Sequence, residues 1–180
     1  MLVVIAAPGG YGKDTVANRL CEEDPRFVVS RSWTTRSPRP GEDPETYTYV
    51  DRATFEHRIA EGGFLEWAEY HGNLYGTPTP DPADERHLVL TIEIQGALRV
   101  LEMDADAFMI LLELSSPDVQ AERMRLRGDD EDSIRRRVEG AFEELAEGRK
   151  IAHATVVNDD LTQAVADVRR ILDNRLSGRL

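Results

Sequence analysis

The sequence predicts an α/β protein in which helices flank a parallel sheet. Along its 180 residues, short apolar runs alternate with longer amphipathic stretches, the pattern of parallel strands covered by helices. A glycine-rich loop that ends in a lysine follows the first apolar run. No internal repeat and no long linker divides the chain, and 41% of its residues are apolar, so we expect one domain with one core.

The elements follow from this alternation. The apolar runs predict core strands at residues 2–6, 27–29, 88–94, 108–114 and 155–157. The amphipathic stretches predict helices at residues 14–22, 95–101, 117–126, 132–150 and 160–176. Helical spacing in the fourth helix predicts one buried stripe, made of Ile134, Val138, Ala141, Phe142 and Leu145. Residues 64–77 predict a hairpin that turns at Gly72 and Asn73, and the alternate prolines of residues 77–85 exclude a helix there.

The loop after the first strand has the composition of a phosphate-binding cradle. Residues 7–13 read Ala-Pro-Gly-Gly-Tyr-Gly-Lys, and the glycines allow backbone N–H groups to turn inward while Lys13 adds a positive charge. The usual pattern has a glycine at the position of Ala7 and a metal-binding hydroxyl at that of Asp14, so Thr15 is a candidate for the latter role. A glycine-rich turn with a solvated lysine is the alternative interpretation.

Composition argues against several other functions. The formal net charge of −12 disfavours binding to a nucleic acid backbone. The single cysteine, Cys21, excludes an intramolecular disulfide, no Cys/His grouping has zinc spacing, and no stretch approaches the roughly 18 apolar residues of a membrane span. We therefore expect a cytoplasmic protein with neither a nucleic acid nor a membrane partner, and the oligomeric state stays open.

The region between the second and third core strands carries side chains suited to a small anion. Arg36 and Arg39 lie three residues apart on a proline-rich segment, and two guanidinium groups can clamp one phosphate through paired hydrogen bonds. Glu66, in the predicted hairpin, is expected to be a half-buried carboxylate. This region is therefore predicted to bind the second substrate.

Taken together, these blocks resemble the guanylate kinases, P-loop enzymes that transfer the γ-phosphoryl group of ATP to GMP. The resemblance covers nearly the whole chain and rests on residues 7–13, Thr34-Thr35-Arg36-x-Pro38-Arg39-x-Gly41-Glu42, residues 64–77, Ile94-Gln95-Gly96, Arg127-Gly128 and residues 157–161. It implies a P-loop core (residues 1–31, 88–126 and 151–180), an inserted nucleoside-monophosphate-binding subdomain (residues 32–87) and a helical lid (residues 127–150).

The resemblance also implies roles for individual residues. The charge-handling catalytic set would be Lys13, Arg36, Arg39, Arg127 and Arg137. The residues that bind ATP would be Ala7, Pro8, Gly9, Gly10, Tyr11, Gly12, Lys13, Asp14, Thr15, Arg123, Arg127, Asn158 and Asp159. The residues around the acceptor, GMP, would be Ser32, Arg36, Arg39, Tyr47, Glu66, Tyr75, Gly76, Thr77, Thr91 and Glu93. Mg²⁺ would accompany ATP near Asp14, Thr15 and Glu93, either in direct contact or through water.

The chemistry of Glu66 agrees with its implied role. Guanine presents N1–H and its exocyclic amine side by side, and one carboxylate can accept both, whereas adenine presents an acceptor at N1. Without the resemblance, Glu66 would be read as a solvated strand charge.

Departures from the family pattern leave alternatives open. Thr91 stands where the family has an aspartate, Trp33 where it has a small residue, and Gly12-Lys13-Asp14 resembles the loop of ribose 1,5-bisphosphate phosphokinases. An enzyme acting on another acceptor, either ribose 1,5-bisphosphate or a modified nucleotide, is one alternative. A catalytically silent module that binds phosphopeptides is another, although the retained Lys13 and Arg127 count against it.

Overall fold

The computed structural model describes residues 1–39, 41–70 and 72–179, so Pro40 of the proline-rich segment, His71 and Leu180 lie outside the described residues. The strands are β1 Leu2–Ala6, β2 Phe27–Val29, β3 Trp33–Thr34, β4 Thr48–Tyr49, β5 Phe64–Tyr70, β6 Asn73–Pro78, β7 His87–Ile92, β8 Phe108–Glu113 and β9 Ala154–Val157. The helices are α1 Lys13–Glu23, α2 Arg52–Ala60, α3 Ile94–Met103, α4 Pro117–Leu126, α5 Glu131–Ile151 and α6 Leu161–Leu176.

Five strands form a parallel sheet in the order β2-β7-β1-β8-β9. The middle strand, β1, is fully buried from Val3 to Ala6 because apolar side chains cover both of its faces. The carboxyl ends of β1, β7 and β8 therefore meet at one edge of the sheet, where open α/β sheets bind their ligands. Both the glycine-rich loop, after β1, and Glu93, after β7, begin at this edge.

A second sheet, in the order β4-β3-β6-β5, is inserted between β2 and β7. β3 and β4 pair in parallel and the other pairs are antiparallel. Helix α2 packs on this sheet through Phe55, whose ring stacks on Phe64 with centroids 4.5 Å apart. Gly76 lies beneath both rings, and a Cβ atom there would come within 2.9 Å of each, so only glycine fits.

Helix α5 follows a tight turn at Gly128, whose φ of 86° favours glycine. Asp130 is the N-cap of this helix, and its side chain accepts a hydrogen bond of 2.9 Å from the Ser133 N–H. The buried face of α5 includes Ile134, Ala141 and Gly148. None of the helices found in the described ranges is both long and apolar enough to span a bilayer.

The α/β class, the parallel sheet and its five strands are confirmed. Residues 79–86, all of them described, contain no helix, and the hairpin forms with Tyr70 opposite Asn73. The third core strand ends at Ile92 rather than at residue 94, because Glu93 turns out of the strand and becomes the residue that precedes α3.

The placement of Phe142 on the buried stripe of α5 was wrong, since this residue is 76% exposed. The contact face of α5 repeats at seven-residue intervals through Ile134, Ala141 and Gly148. Phe142 lies one residue, or about 100° of helical rotation, beyond that line.

Candidate active site

A cavity of about 550 Å³ opens at the carboxyl edge of the parallel sheet. It brings together most of the residues that the sequence singled out: Gly9, Gly10, Gly12, Lys13, Asp14, Thr15, Ser32, Arg36, Arg39, Tyr47, Glu66, Tyr75, Gly76, Thr91, Glu93, Arg123, Arg127, Arg137 and Asn158. Five expected residues are absent from its lining: Ala7, Pro8, Tyr11, Thr77 and Asp159. The lining also includes residues for which the sequence predicted no individual role, although all but Ile92 lie in blocks that carry the family resemblance: Ala68, Tyr70, Asn73, Ile92, Gln95, Gly96 and Leu161.

Two buried amide side chains brace the glycine-rich loop. Gln120 Nε2 donates to the carbonyl of Gly9 at 2.8 Å, and Asn158 Nδ2 donates to the carbonyl of Tyr11 at 2.8 Å. Gly12, with a φ of 83°, directly precedes α1, and a Cβ atom on it would approach Asn158 Nδ2 to 2.8 Å. The loop is thus held in one shape at the N-terminal end of α1, where helix dipole and free N–H groups favour an anion.

Lys13 is buried in this cavity and is paired with a carboxylate. Its Nζ donates to Glu93 Oε1 at 2.7 Å, while Glu93 Oε2 is buried and has no hydrogen-bond partner in the described part of the chain. Burial lowers the pKa of Lys13, but Glu93 and Asp14 raise it more strongly, so the pKa lies above its ordinary value. The ammonium group therefore stays charged at every physiological pH.

Arg36 is held in place by Glu42. Two hydrogen bonds of 2.8 and 3.0 Å join the guanidinium and the carboxylate, and Glu42 Oε2 also accepts the Arg39 backbone N–H at 2.8 Å. Burial raises the pKa of Glu42, but the hydrogen bonds from Arg36 and Arg39 lower it to about 2. The Arg36 guanidinium lies 5.5 Å from the ring centroid of Tyr47, whose own ring is 6.2 Å from that of Tyr75.

Four arginines converge in this part of the cavity, and we call them the arginine cluster: Arg36, Arg39, Arg127 and Arg137. Burial first, and then the charges of the other three, lower the pKa of Arg39, and Asp129 partly opposes them. Arg127 Nε donates to Asp129 at 2.8 Å. The side chain of Arg137 reaches the loop, with Nη1 3.5 Å from the position that a Cβ atom of Gly9 would take. Cations packed together in this way repel one another, so a phosphate group that enters the cluster relieves the repulsion.

Glu66 lines the cavity and is paired with Thr77, which lies outside the lining. Thr77 Oγ1 donates to Glu66 Oε1 at 2.7 Å, and Thr77 is fully buried behind the carboxylate. Burial raises the pKa of Glu66, which the hydrogen bond from Thr77 and the charge of Arg99 partly offset. Strand register places Glu66 opposite Thr77, and Ser32 precedes Trp33, which pairs with Gly76.

Arg123, in the last turns of α4, contacts the two residues that follow β9, Asn158 and Asp159. Arg123 Nη2 donates to the carbonyl of Asn158 at 2.7 Å and to that of Asp159 at 3.1 Å. The carboxylate of Asp159 accepts the Ser115 N–H at 3.0 Å, so it braces the end of β8 from outside the cavity lining.

No group of three or more metal-binding side chains occurs among residues 1–39, 41–70 and 72–179. This does not argue against Mg²⁺, which proteins often bind through one or two carboxylates together with substrate phosphates. Asp14 and Glu93 both line the cavity, and the free Oε2 atom of Glu93 is chemically suited to such a role.

Sequence reasoning gave no role to three bracing residues: Glu42, Gln120 and Asp129. Glu42 belongs to the recognised arginine segment, so its position three residues after Arg39 was a usable signal. Gln120 acts on a residue 111 positions away, and nothing local could reveal that contact.

The comparisons agree with this geometry. The family model for guanylate kinase matches residues 1–175. A guanylate kinase of Gloeobacter violaceus is 44% identical over 178 residues, which cover 95% of this chain and 86% of that protein. A guanylate kinase of Rubrobacter xylanophilus is 39% identical, with 98% and 95% covered. A crystal structure of guanylate kinase from Anaplasma phagocytophilum superposes with a TM-score of 0.78 at 29% identity, over 96% of this chain and 84% of that one. With this sequence and this fold, the chain belongs to the guanylate kinase family.

Proposed function

We propose that the protein transfers the γ-phosphoryl group of ATP to GMP and so forms ADP and GDP. The observation that carries this proposal is the shared cavity, which is lined by Lys13, by the arginine cluster and by Glu66, the hydrogen-bond partner of Thr77. The cationic side chains suit two phosphate-bearing substrates, and the carboxylate suits a base with two adjacent N–H donors.

The acceptor binds between the Arg36 and Arg39 guanidinium groups and the Glu66–Thr77 pair. Arg36 and Arg39, together with the hydroxyl groups of Tyr47 and Tyr75, orient its phosphate. Glu66 accepts hydrogen bonds from N1–H and the exocyclic amine of guanine, while Thr77 fixes the direction of the carboxylate. Because the acceptor oxygen is already ionised at neutral pH, the reaction needs no general base.

The donor lies along the glycine-rich loop, with Lys13 beside its terminal phosphates. Arg127 and Arg137 then meet the negative charge that spreads over the transferred group, and Arg123 and Asn158 lie towards the nucleoside of ATP. Preorganised cations of this kind act mainly by positioning and by electrostatic stabilisation of the transition state.

Mg²⁺, when bound beside Asp14 and Glu93, would neutralise charge on the ATP phosphates. We also propose that residues 32–87 form the acceptor-binding part and residues 127–150 the lid, and that the protein works in the cytoplasm. We propose in the same way the catalytic and binding roles that the family resemblance implies for single residues.

The test is ADP release from ATP and Mg²⁺ in the presence of GMP, dGMP, AMP, UMP, CMP or ribose 1,5-bisphosphate. We expect turnover with GMP and dGMP only, with GDP or dGDP and ADP formed in equal amounts. Turnover confined to ribose 1,5-bisphosphate would establish the alternative acceptor, and silence with every acceptor, while ATP still binds, would favour a binding module.

A further inference from the structure

Four residues of the glycine-rich loop form a tight turn. The Tyr11 N–H donates to the Pro8 carbonyl at 3.4 Å and closes this turn. Its two central residues are Gly9 and Gly10. Gly10 has a φ of 92° whereas the φ of Gly9 is not positive, and this combination defines a type II turn. Type I and type II turns share the closing hydrogen bond and differ by roughly half a turn of rotation of the central peptide, which here joins Gly9 to Gly10.

The direction of this peptide decides which group the loop presents to the cavity. In a planar trans peptide the C=O and N–H bonds point in opposite directions. The Gly9 carbonyl accepts a hydrogen bond from Gln120, which lies outside the cavity lining, so the Gly10 N–H points away from Gln120. Both glycines line the cavity, and the Gly10 N–H donates to no atom in the part of the chain that the structure describes. This N–H group can therefore donate to a phosphate oxygen.

The turn by itself does not select this direction. Glycine adopts positive and negative φ about equally readily, so a pair of glycines permits either orientation of the peptide between them. In the opposite orientation the Gly9 carbonyl would face the cavity, where its partial negative charge would repel a phosphate group. A contact from outside the turn must therefore select the orientation that binds an anion.

Gln120 supplies that contact from helix α4. Its side chain is fully buried, and its Nε2 donates to the Gly9 carbonyl at 2.8 Å. The Oε1 atom of the same amide is buried and has no hydrogen-bond partner within the described ranges. A buried amide with one unsatisfied atom costs free energy, whereas a leucine of similar size would not. Packing alone therefore does not account for a glutamine at this position, and its hydrogen bond to the loop does.

We propose that Gln120 is a positioning residue for the phosphoryl donor, because it holds the Gly9–Gly10 peptide in the orientation in which the Gly10 N–H donates to a phosphate oxygen of ATP. This inference rests on the proposed function, in which ATP lies along the loop. Gln120 lies outside the cavity lining and acts through the loop. Without its hydrogen bond the peptide adopts both orientations, and the apparent affinity for ATP falls in proportion to the fraction of molecules that can bind.

Titration calorimetry of Gln120→Leu tests this, with ATP and Mg²⁺ in one series and GMP alone in another. Leucine keeps the approximate size of the side chain and removes the donor. Kd for ATP should rise about tenfold, the lower end of the range for a hydrogen bond to a charged group, while Kd for GMP should stay within about twofold of wild type. An unchanged Kd for ATP, or an equal rise for ATP and GMP, would overturn the proposal.

Met124→Leu is the matched control. Met124 lies one turn beyond Gln120 on α4, is also fully buried, and packs against the same turn, since a Cβ atom on Gly10 would come within 3.0 Å of its Cγ. Leucine at this position conserves volume and leaves the hydrogen bond of Gln120 in place, so Kd for ATP should stay within about twofold of wild type. A rise as large as that in Gln120→Leu would assign the effect to the packing of α4 and contradict the proposal.

Solvent exchange of the Gly10 amide, measured by NMR in the wild-type protein, tests the orientation without any variant. Exchange should be rapid in the free enzyme and at least about tenfold slower once ATP and Mg²⁺ are bound. An amide that is already protected in the free enzyme, or whose exchange ATP leaves unchanged, would overturn the proposal. Because both experiments measure the binding of ATP, failure to form GDP while ATP still binds would contradict the proposed function alone, and Kd for ATP and exchange at Gly10 would still decide the role of Gln120.

Discussion

Lys13 and Glu93 form a buried ion pair in the cavity. Glu93 neutralises the ammonium group at 2.7 Å, so Lys13 is not left unpaired in a largely desolvated position. The second oxygen of Glu93 has no partner among the described residues, so this carboxylate can still accept a hydrogen bond. We expect an entering phosphate group to bind the ammonium group of Lys13, while Glu93 remains at the end of β7.

Replacing Lys13 tests this at the level of one residue. Lys13→Ala should lower kcat/KM for GMP by at least about a hundredfold to a thousandfold, the loss measured when a preorganised charge-stabilising group is removed. Circular dichroism should show an intact fold. Lys150→Ala is the control, because Lys150 is exposed and, within the described ranges, forms its ion pair with Glu147 on the surface of α5. Equal activity of Lys13→Ala and wild type would remove the loop from the mechanism.

The raised pKa of Glu66 predicts a pH dependence. Burial favours the protonated form, so Glu66 should take up a proton at a pH above its ordinary pKa of 4.5. The proton removes an acceptor from guanine, so KM for GMP should increase as pH falls through the raised pKa. The effect on stability has the opposite sign: the folded state binds this proton more tightly, so ionisation of Glu66 costs stability as pH rises above 4.5.

Initial rates from pH 4.5 to 8 measure this effect. In Glu66→Gln, which cannot titrate, the acid limb of KM should disappear while the melting temperature at neutral pH is maintained. An identical acid limb in that variant would assign the titration to another group.

At the scale of elements, the run Arg135-Arg136-Arg137 in helix α5 contributes one of its three arginines to the cavity. Arg137 lines the cavity and approaches Gly9, whereas Arg135 pairs with Asp132 and Arg136 is exposed. Consecutive residues on a helix are about 100° apart, so one of them can face the cavity while its neighbours face solvent. The three-arginine run in the sequence therefore contains a single candidate for catalysis.

Alanine substitutions along that run test the assignment. Arg137→Ala should lower kcat about a hundredfold or more with a smaller change in KM, since its charge matters most in the transition state. Arg136→Ala should stay within about twofold of wild type. Equal losses in the two variants would contradict the assignment.

The packing of α5 on the sheet depends on Gly148. A Cβ atom at this position would come within 2.9 Å of Leu111 and 3.0 Å of Ile94, whereas one at Gly140 would meet no described atom within 4 Å. Gly140→Ala should raise the free energy of unfolding by about 0.5–1 kcal/mol through helix propensity. Gly148→Ala should be about 1–3 kcal/mol less stable than Gly140→Ala because of overpacking. Urea denaturation measures both, and equal stability would mean that α5 is not tightly packed there.

The secondary-structure elements differ in how well the sequence predicts them. The parallel strands are buried on both faces, so they read as continuous apolar runs, and all five were predicted. β3 and β4 have two residues each, too few for any periodicity, and α2 buries only Phe55. Phe142 was misplaced because apolar spacing alone does not say which of two adjacent apolar residues contacts the sheet.

At the scale of the whole molecule, an acidic protein encloses a cationic cleft. The chain has a formal charge of −12, yet the arginine cluster and Lys13 share one cavity between the two sheets. The blocks of sequence that form this cavity are far apart along the chain, and the family resemblance connected them. The partners that hold these side chains in place, such as Asp129 and Gln120, depend on tertiary contacts that have no signature in local sequence.

The central claim is that this cavity selects GMP through the carboxylate of Glu66. The most direct test measures kcat/KM for GMP and for AMP in wild type and in Glu66→Gln under the same conditions. We predict that wild type prefers GMP by about 10⁴-fold, as expected of a site built around hydrogen bonds to its substrate, and that the variant loses about a hundredfold of this ratio. Comparable turnover of AMP and GMP by wild type, or an unchanged ratio in Glu66→Gln, would contradict the claim.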